Sequence, residues 1–283
     1  MKLLTSMRYW LCMTLYLCVT LGCSTLKCDH CAIEQLPVDN FPPLFTYSQY
    51  TNQAPGWRYI YLEGDGRPWK RGYIQSSNPT SRQKLTLKLM MATPQDSVYL
   101  ERPCYGFSPV PPAPCEPYWW TSARYNQQVT EALNNALDQI QQQHGHKRLV
   151  LIGHSGGGTL AMLIAQKRKD IAGVVTLAGN IDPDAWTEYH NFLPLEKSSN
   201  PSRQLPLPST VFRWHYAGES DRNIPPALIK QALSNDPLAE LNLIDSDHNC
   251  CWLKHWPQIT ERLRTLEQQS AAAQQSIIPQ LTQ

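Results

Sequence analysis

Six consecutive residues, Gly153-His154-Ser155-Gly156-Gly157-Gly158, hold four of the chain's fourteen glycines. They follow the apolar run Arg148–Ile152 and precede a helical pattern over Thr159–Arg168, so the serine falls on a turn between a buried strand and a helix. A serine so placed can be a nucleophile. The tight turn projects its hydroxyl, and Gly153 and Gly157 are needed where a Cβ would collide with strand or helix. The helix that starts at Ser155 brings its positive end and unpaired N–H groups beside the hydroxyl, which makes the Gly156 N–H a donor for an oxyanion. The competing chemistry, a glycine-rich turn gripping phosphate, needs a Gly-Lys-Ser/Thr continuation that does not follow. His154, beside the serine, reads as a packing residue.

In this strand–turn–helix setting the Gly-x-Ser-x-Gly pattern resembles the nucleophile turn of the α/β-hydrolase family, and the resemblance covers roughly residues 57–267. It implies an α/β class, the α/β-hydrolase fold, with a mainly parallel central sheet flanked by helices. It also implies a triad in chain order Ser, acid, His. His248, in Asp245-Ser246-Asp247-His248-Asn249, is the histidine that directly follows the last predicted strand. Asp221, in Ala217-Gly218-Glu219-Ser220-Asp221, lies in the loop after the preceding strand, 66 residues after Ser155 and 27 before His248. Glu219 and Asp182 are rival acids and His190 is the rival base. His215 within a strand and His255 near a helix start read as packed or surface histidines, and Asp245 and Asp247 as loop-shaping neighbours of His248. The second oxyanion donor is expected in Leu62-Glu63-Gly64-Asp65-Gly66, which matches the family's His-Gly-x-Gly position with Glu63 in place of His. Carry-over makes the Asp65 N–H the donor, with Gly66 as fallback.

By the same resemblance the chain is a serine hydrolase that forms an acyl-enzyme on Ser155, with His248 as base and Asp221 as its orienter. Carboxylic-ester cleavage is the default as the family's commonest activity; peptidase, thioesterase and acyltransferase chemistry would use the same parts. A non-catalytic envelope protein, keeping the fold as a binding surface, is the alternative class. The expected substrate is a small-molecule or lipid-like acyl compound, and the chemistry requires no metal and no organic cofactor. Residues 183–209 form the longest insertion after the serine and suggest a small cap. Its Trp186, Tyr189 and Phe192, with Trp69, Trp119 and Trp120, either wall an acyl pocket or complete the core under long loops.

The N-terminus carries an address. Lys2 and Arg8 precede thirteen uncharged residues, Tyr9–Leu21, too short for a spanning helix and matching the apolar part of a secretory signal. The run closes on Thr20-Leu21-Gly22-Cys23-Ser24, which resembles the bacterial lipobox with Thr20 where that motif carries Leu. Residues 1–22 are then a lipoprotein-type signal peptide. The resemblance implies lipidation at Cys23 and a place in the cell envelope, tethered to the outer membrane and facing the periplasm; an ordinary signal peptide cut nearby or an uncleaved anchor are the alternatives. Of nine cysteines, six remain once Cys12, Cys18 and Cys23 are set aside. That even number can pair in an oxidising compartment. Cys104 and Cys115, bracketing four prolines, are the candidate disulfide; Cys28-Asp29-His30-Cys31 lacks the second half of a zinc site. The pairing of Cys250 and Cys251 stays open.

These residues need a scaffold, and the rest of the chain supplies one. Residues 23–56 show no sustained period and read as an ordered tether. Strands are expected at Trp57–Leu62, Ser97–Leu100, Arg148–Ile152, Ile171–Leu177, Thr210–Tyr216 and Leu241–Ile244. Helices are expected at Gln128–Gln143, Thr159–Arg168, Pro226–Leu233 and 256–267, with 268–283 a frayed Gln/Ala-rich tail. Strands alternating with helices imply one α/β domain over 57–267. Without residues 1–22 the chain carries 23 basic and 23 acidic residues, a balance that speaks against nucleic acid as a partner.

Overall fold

The computed structural model describes Cys28 and residues 31–50, 56–93, 95–204 and 206–277; the signal segment 1–22 and Cys23 lie outside the described residues. The strands are β1 (Ala32–Val38), β2 (Phe41–Gln49), β3 (Arg58–Leu62), β4 (Trp69–Lys70), β5 (Ile74–Gln75), β6 (Ser97–Leu100), β7 (Leu149–His154), β8 (Ile171–Leu177), β9 (Phe212–Gly218) and β10 (Ala239–Ile244). The helices are α1 (Leu85–Met91), α2 (Gln127–His144), α3 (Gly156–Ala165), α4 (Pro183–Tyr189), α5 (Pro226–Ala232) and α6 (Trp252–Ile277).

Eight strands form one sheet in the order β1-β2-β6-β3-β7-β8-β9-β10. All neighbours from β6 to β10 pair in parallel, while β2 runs antiparallel to both β1 and β6. Central strands are buried on both faces, and alternate residues serve opposite sides. Ile60, Leu62, Leu151 and Val174 pack under α2, α3 and α5. Tyr59, Tyr61, Val150, Ile152 and Val175 pack under α1 and α6. With the parallel strands all pointing one way, the loops after β3, β7, β9 and β10 gather at the carboxyl edge of the sheet. An open α/β sheet presents ligands at that edge.

Two stretches differ from the sequence reading. Residues 32–49, within the expected tether, form a hairpin that extends the sheet. Its turn is Asp39-Asn40, with Asn40 at φ 63°, a conformation Asn tolerates better than other side-chain-bearing residues. The period is concealed because β2 turns Leu44, Thr46 and Ser48 inward, two of them hydroxyl residues, and carries Pro42-Pro43 directly after its first residue. At the other end α6 runs on to Ile277 through the expected frayed tail, since Gln and Ala are good helix formers whatever their polarity.

Candidate active site

Ser155 joins β7 to α3 with φ 51° and ψ −120°, a left-handed conformation that a residue with a Cβ keeps only when its surroundings impose it. They do so from three sides. The Ser155 N–H donates to the Leu177 carbonyl (3.0 Å), and its own carbonyl accepts from the N–H groups of Gly158 (2.9 Å) and Asn180 (3.1 Å). Gly153 lets the strand and helix meet, because a Cβ there would run into the Gly157 carbonyl.

The loop after β10 brings His248 to this turn. Its Nε2 lies 3.1 Å from Ser155 Oγ, and its Nδ1 lies 2.8 Å from Asp221 Oδ2. The Asp221 side chain has 0% exposure, and its other oxygen accepts from the N–H groups of Asn223 and Ile224, each at 2.8 Å. An acid with both oxygens fixed holds the imidazole as the Nδ1–H tautomer, which leaves the Nε2 lone pair facing the serine. The Asn223 amide also donates to Nε2, at 3.0 Å. The backbone of His248 is pinned as well, since its carbonyl accepts from His154 Nε2 (2.7 Å) and Trp252 Nε1 (3.2 Å). Burial, and then the neighbouring His248 ring, push the His154 imidazole down to about 4, so it is a neutral donor at physiological pH.

The rivals lie elsewhere. Asp182 caps α4, accepting from the N–H groups of Asp184 and Ala185 and from the Asn200 amide. Glu219 is exposed. His215 is a core histidine bonded to Thr176 Oγ1 (2.8 Å), pushed down to about 4 by burial, and His255 donates to the Asp245 carbonyl. Asp247 accepts from the N–H groups of Asn249 and Cys250, which shapes the loop. His190 lies in the cap, donating to the Asn223 carbonyl (2.7 Å).

The Gly156 N–H opens α3 and has no intrahelical acceptor. The loop after β3 lies directly over it, so that a Cβ on Gly156 would collide with Asp65 Oδ1. Neither the Gly156 nor the Asp65 N–H has a hydrogen-bond partner among the described residues. Gly66, the fallback donor, has φ 63° and turns the loop toward Pro79. The Asp65 carboxylate is clamped by Arg102 (2.5 Å), Arg124 (2.9 Å) and the Tyr125 hydroxyl (2.7 Å). Burial alone would raise its carboxyl, but Arg124 and Arg102 outweigh burial and hold it below the usual carboxylate range. Glu63, in the family's His position, is buried and accepts from the Gly64 N–H and from the Thr86 N–H and hydroxyl. It thereby caps α1, whose preceding Lys84 offers no cap. Burial, reinforced by Glu101, pushes Glu63 up to about 7.

Ser155 and His248 open into a cleft of about 1310 Å³ between two walls. One is the β4–β5 flap with Trp69 and Tyr73; the other is the cap, through Trp186, Phe192 and Leu193. Trp119 and Trp120 stand apart from it: Trp119 packs edge-on against Phe41, and Trp120 is buried with its N–H on the Ser76 carbonyl. Tyr118 lines the cleft in their place. Cys104 is joined to Cys115 and Cys250 to Cys251 by disulfides. Among the described residues no helix is long and apolar enough to cross a membrane, and no three His, Cys, Asp or Glu side chains group as metal ligands.

Sequence reasoning missed Arg102, Arg124 and Asn223. Arg102 follows a strand at the carboxyl edge, and Asn223 sits two residues beyond the acid, where its N–H completes an Asx turn. Those positions were the available signals.

Comparison places this architecture among known proteins. No curated protein matches the sequence closely enough to count as a relative. Among solved structures, an esterase of Pyrococcus furiosus is 13% identical with a TM-score of 0.57, over 83% of this chain and 91% of that one. A candidate hydrolase of Agrobacterium vitis is 12% identical at 0.59, over 84% and 99%. A candidate esterase of Staphylococcus aureus is 17% identical at 0.53, over 85% of each. Such identities establish a shared fold. The model of the alpha/beta hydrolase fold matches residues 52–201, over half of the chain, and with the parallel sheet this establishes that the chain belongs to the α/β-hydrolase family.

Proposed function

We propose that the protein is a serine hydrolase that cleaves an acyl bond, a carboxylic ester in the first instance, by way of an acyl-enzyme. One observation carries the reading: the unbroken series Ser155 Oγ, His248 Nε2, His248 Nδ1, Asp221 Oδ2, with spacings of 3.1 and 2.8 Å, behind a serine on a strained turn. Ser155 Oγ attacks the acyl carbon while its proton passes to His248 Nε2, and Asp221 stabilises the imidazolium without taking the proton. The N–H groups of Gly156 and Asp65 are the donors for the oxyanion; losing such a donor costs about 2.7–4 kcal/mol. Collapse returns the proton from His248 to the departing alkoxide, and a water repeats the sequence to free the acid and restore Ser155.

A fluorophosphonate tests this directly, because only an activated serine displaces its fluoride. Labelling at Ser155, lost in Ser155→Ala, is expected. A folded, unlabelled protein would favour a binding module on the same fold.

Export and lipidation at Cys23 are part of the same proposal, resting on the Leu21-Gly22-Cys23 junction. They put the enzyme in the bacterial envelope, tethered to the outer membrane and facing the periplasm. Intact mass of the envelope protein should show a chain starting at a diacylglyceryl-modified Cys23; an unmodified start elsewhere overturns it.

A further inference from the structure

Twelve large hydrophobic side chains are exposed among the described residues, and five of them line the cleft that holds Ser155: Trp69, Tyr73, Tyr118, Phe192 and Leu193. Ile74, on the same flap as Tyr73, and Tyr189, in the same cap as Phe192, bring the number around its mouth to seven. Leu193 is 88% exposed and Tyr73 71%. Singly scattered apolar residues are ordinary on a surface, but a concentration around one opening marks an interaction site.

Charge identifies the partner. Between Asp65 and Asp96 the sequence has no acid and six cations. Of these, Lys84 pairs with Glu101 at 3.5 Å. Arg67, Lys70, Arg71 and Arg82, on or beside the flap, form no ion pair among the described residues. Of the exposed acids in or next to the segments that line the mouth, Glu188 and Glu196 belong to the opposite wall, whose Phe192-Leu193 tip is apolar, and Asp247 to the loop that carries His248, so none is on the flap. An apolar rim beside unneutralised cations matches a bilayer with anionic headgroups: the rim enters the interface, and the cations stay at headgroup level.

We propose that the β4–β5 flap and the cap tip together dock the cleft mouth onto an anionic lipid bilayer. Where the serine-hydrolase reading holds, the substrate is an amphiphilic ester drawn from that bilayer. This contact is separate from any N-terminal lipid, which would tether the chain without orienting the cleft.

The test uses the full chain with Ile74→Cys carrying an environment-sensitive fluorophore, and a matching Leu238→Cys protein as control. Leu238 is exposed but precedes β10, at the opposite end of the sheet from the cleft. Vesicles of phosphatidylcholine with one-quarter phosphatidylglycerol should blue-shift the probe at position 74 and not at 238. Pure phosphatidylcholine should shift neither, and high salt should reverse the effect. Adding Lys70→Gln and Arg71→Gln should raise the lipid concentration for half-maximal shift about thirtyfold. Neither residue lines the cleft, so turnover of soluble p-nitrophenyl butyrate should be unchanged in that variant. Equal shifts at both positions, equal shifts with neutral vesicles, or no shift at 74 would overturn the docking surface. The probe reads contact and not turnover, so an enzyme inert toward every ester would sink the hydrolase reading and leave this result standing.

Discussion

At the scale of single residues, the site divides into groups that would act on the substrate and groups that hold them. If Ser155, His248 and Asp221 work as one unit, Ser155→Ala and His248→Ala should each lower kcat by several orders of magnitude, and the double variant by little more. Asp221→Asn should cost on the order of 10⁴-fold, since an amide favours the wrong imidazole tautomer. Asp182→Asn and Glu219→Gln should be mild; thermal melts run alongside separate lost chemistry from lost folding. Asp65 allows a different separation. Its proposed catalytic part is the backbone N–H, whereas its carboxylate neutralises two buried guanidiniums. Asp65→Asn should therefore lose about 3–5 kcal/mol in urea unfolding, the usual cost of stranding a buried charge. Folded Asp65→Asn enzyme should keep most of its turnover. The grouping of Ser155, His248 and Asp221 was legible from chain order and strand ends, because turn chemistry is local. The clamp on Asp65 was not, because Arg102 and Arg124 reach it from loops 37 and 59 positions away and nothing in either local sequence specifies the partner.

At the scale of elements, the sequence reading succeeded where burial on both faces produced continuous apolar runs, as in β7 and β8. It failed where polar residues do the packing. The β1–β2 hairpin illustrates the failure: Thr46 and Ser48 point inward, so the strand's period carries no hydrophobic signal. Leu44→Ala tests its standing. Leu44 is 1% exposed within the main core cluster, so its truncation should cost about 2–5 kcal/mol. A mere tether would show no change in the urea midpoint. Helix α1 was missed for a related reason, since its cap is the Glu63 carboxylate from another element.

For the whole molecule, that carboxylate couples stability to pH. Its folded value of about 7 lies above the ordinary 4.5, so the native state favours the protonated form. The contribution is complete below about 4.5 and is lost as pH rises through about 7, amounting to about 3 kcal/mol. Unfolding free energy measured from pH 5 to 8.5 should fall with that slope, and Glu63→Gln should flatten it. Asn223 links distant parts in another way. Its carbonyl accepts from Trp186 (3.0 Å) and His190 (2.7 Å) of the cap, while its amide and the Ser155 hydroxyl both address Nε2 of His248. A ring nitrogen has one lone pair and can accept one of these hydrogens at a time. The imidazole is thus shared between the Asn223 amide and the Ser155 hydroxyl, its reaction partner in the proposed chemistry, and one of the two contenders belongs to a residue that also anchors the cap. Asn223→Ala removes the spectator and leaves the backbone anchor in place, so Ser155 should react faster with a small fluorophosphonate while the cap stays seated. If Ser155 is the nucleophile, the asparagine would act as a brake on an idle serine, released once a ligand in the cleft draws its amide away.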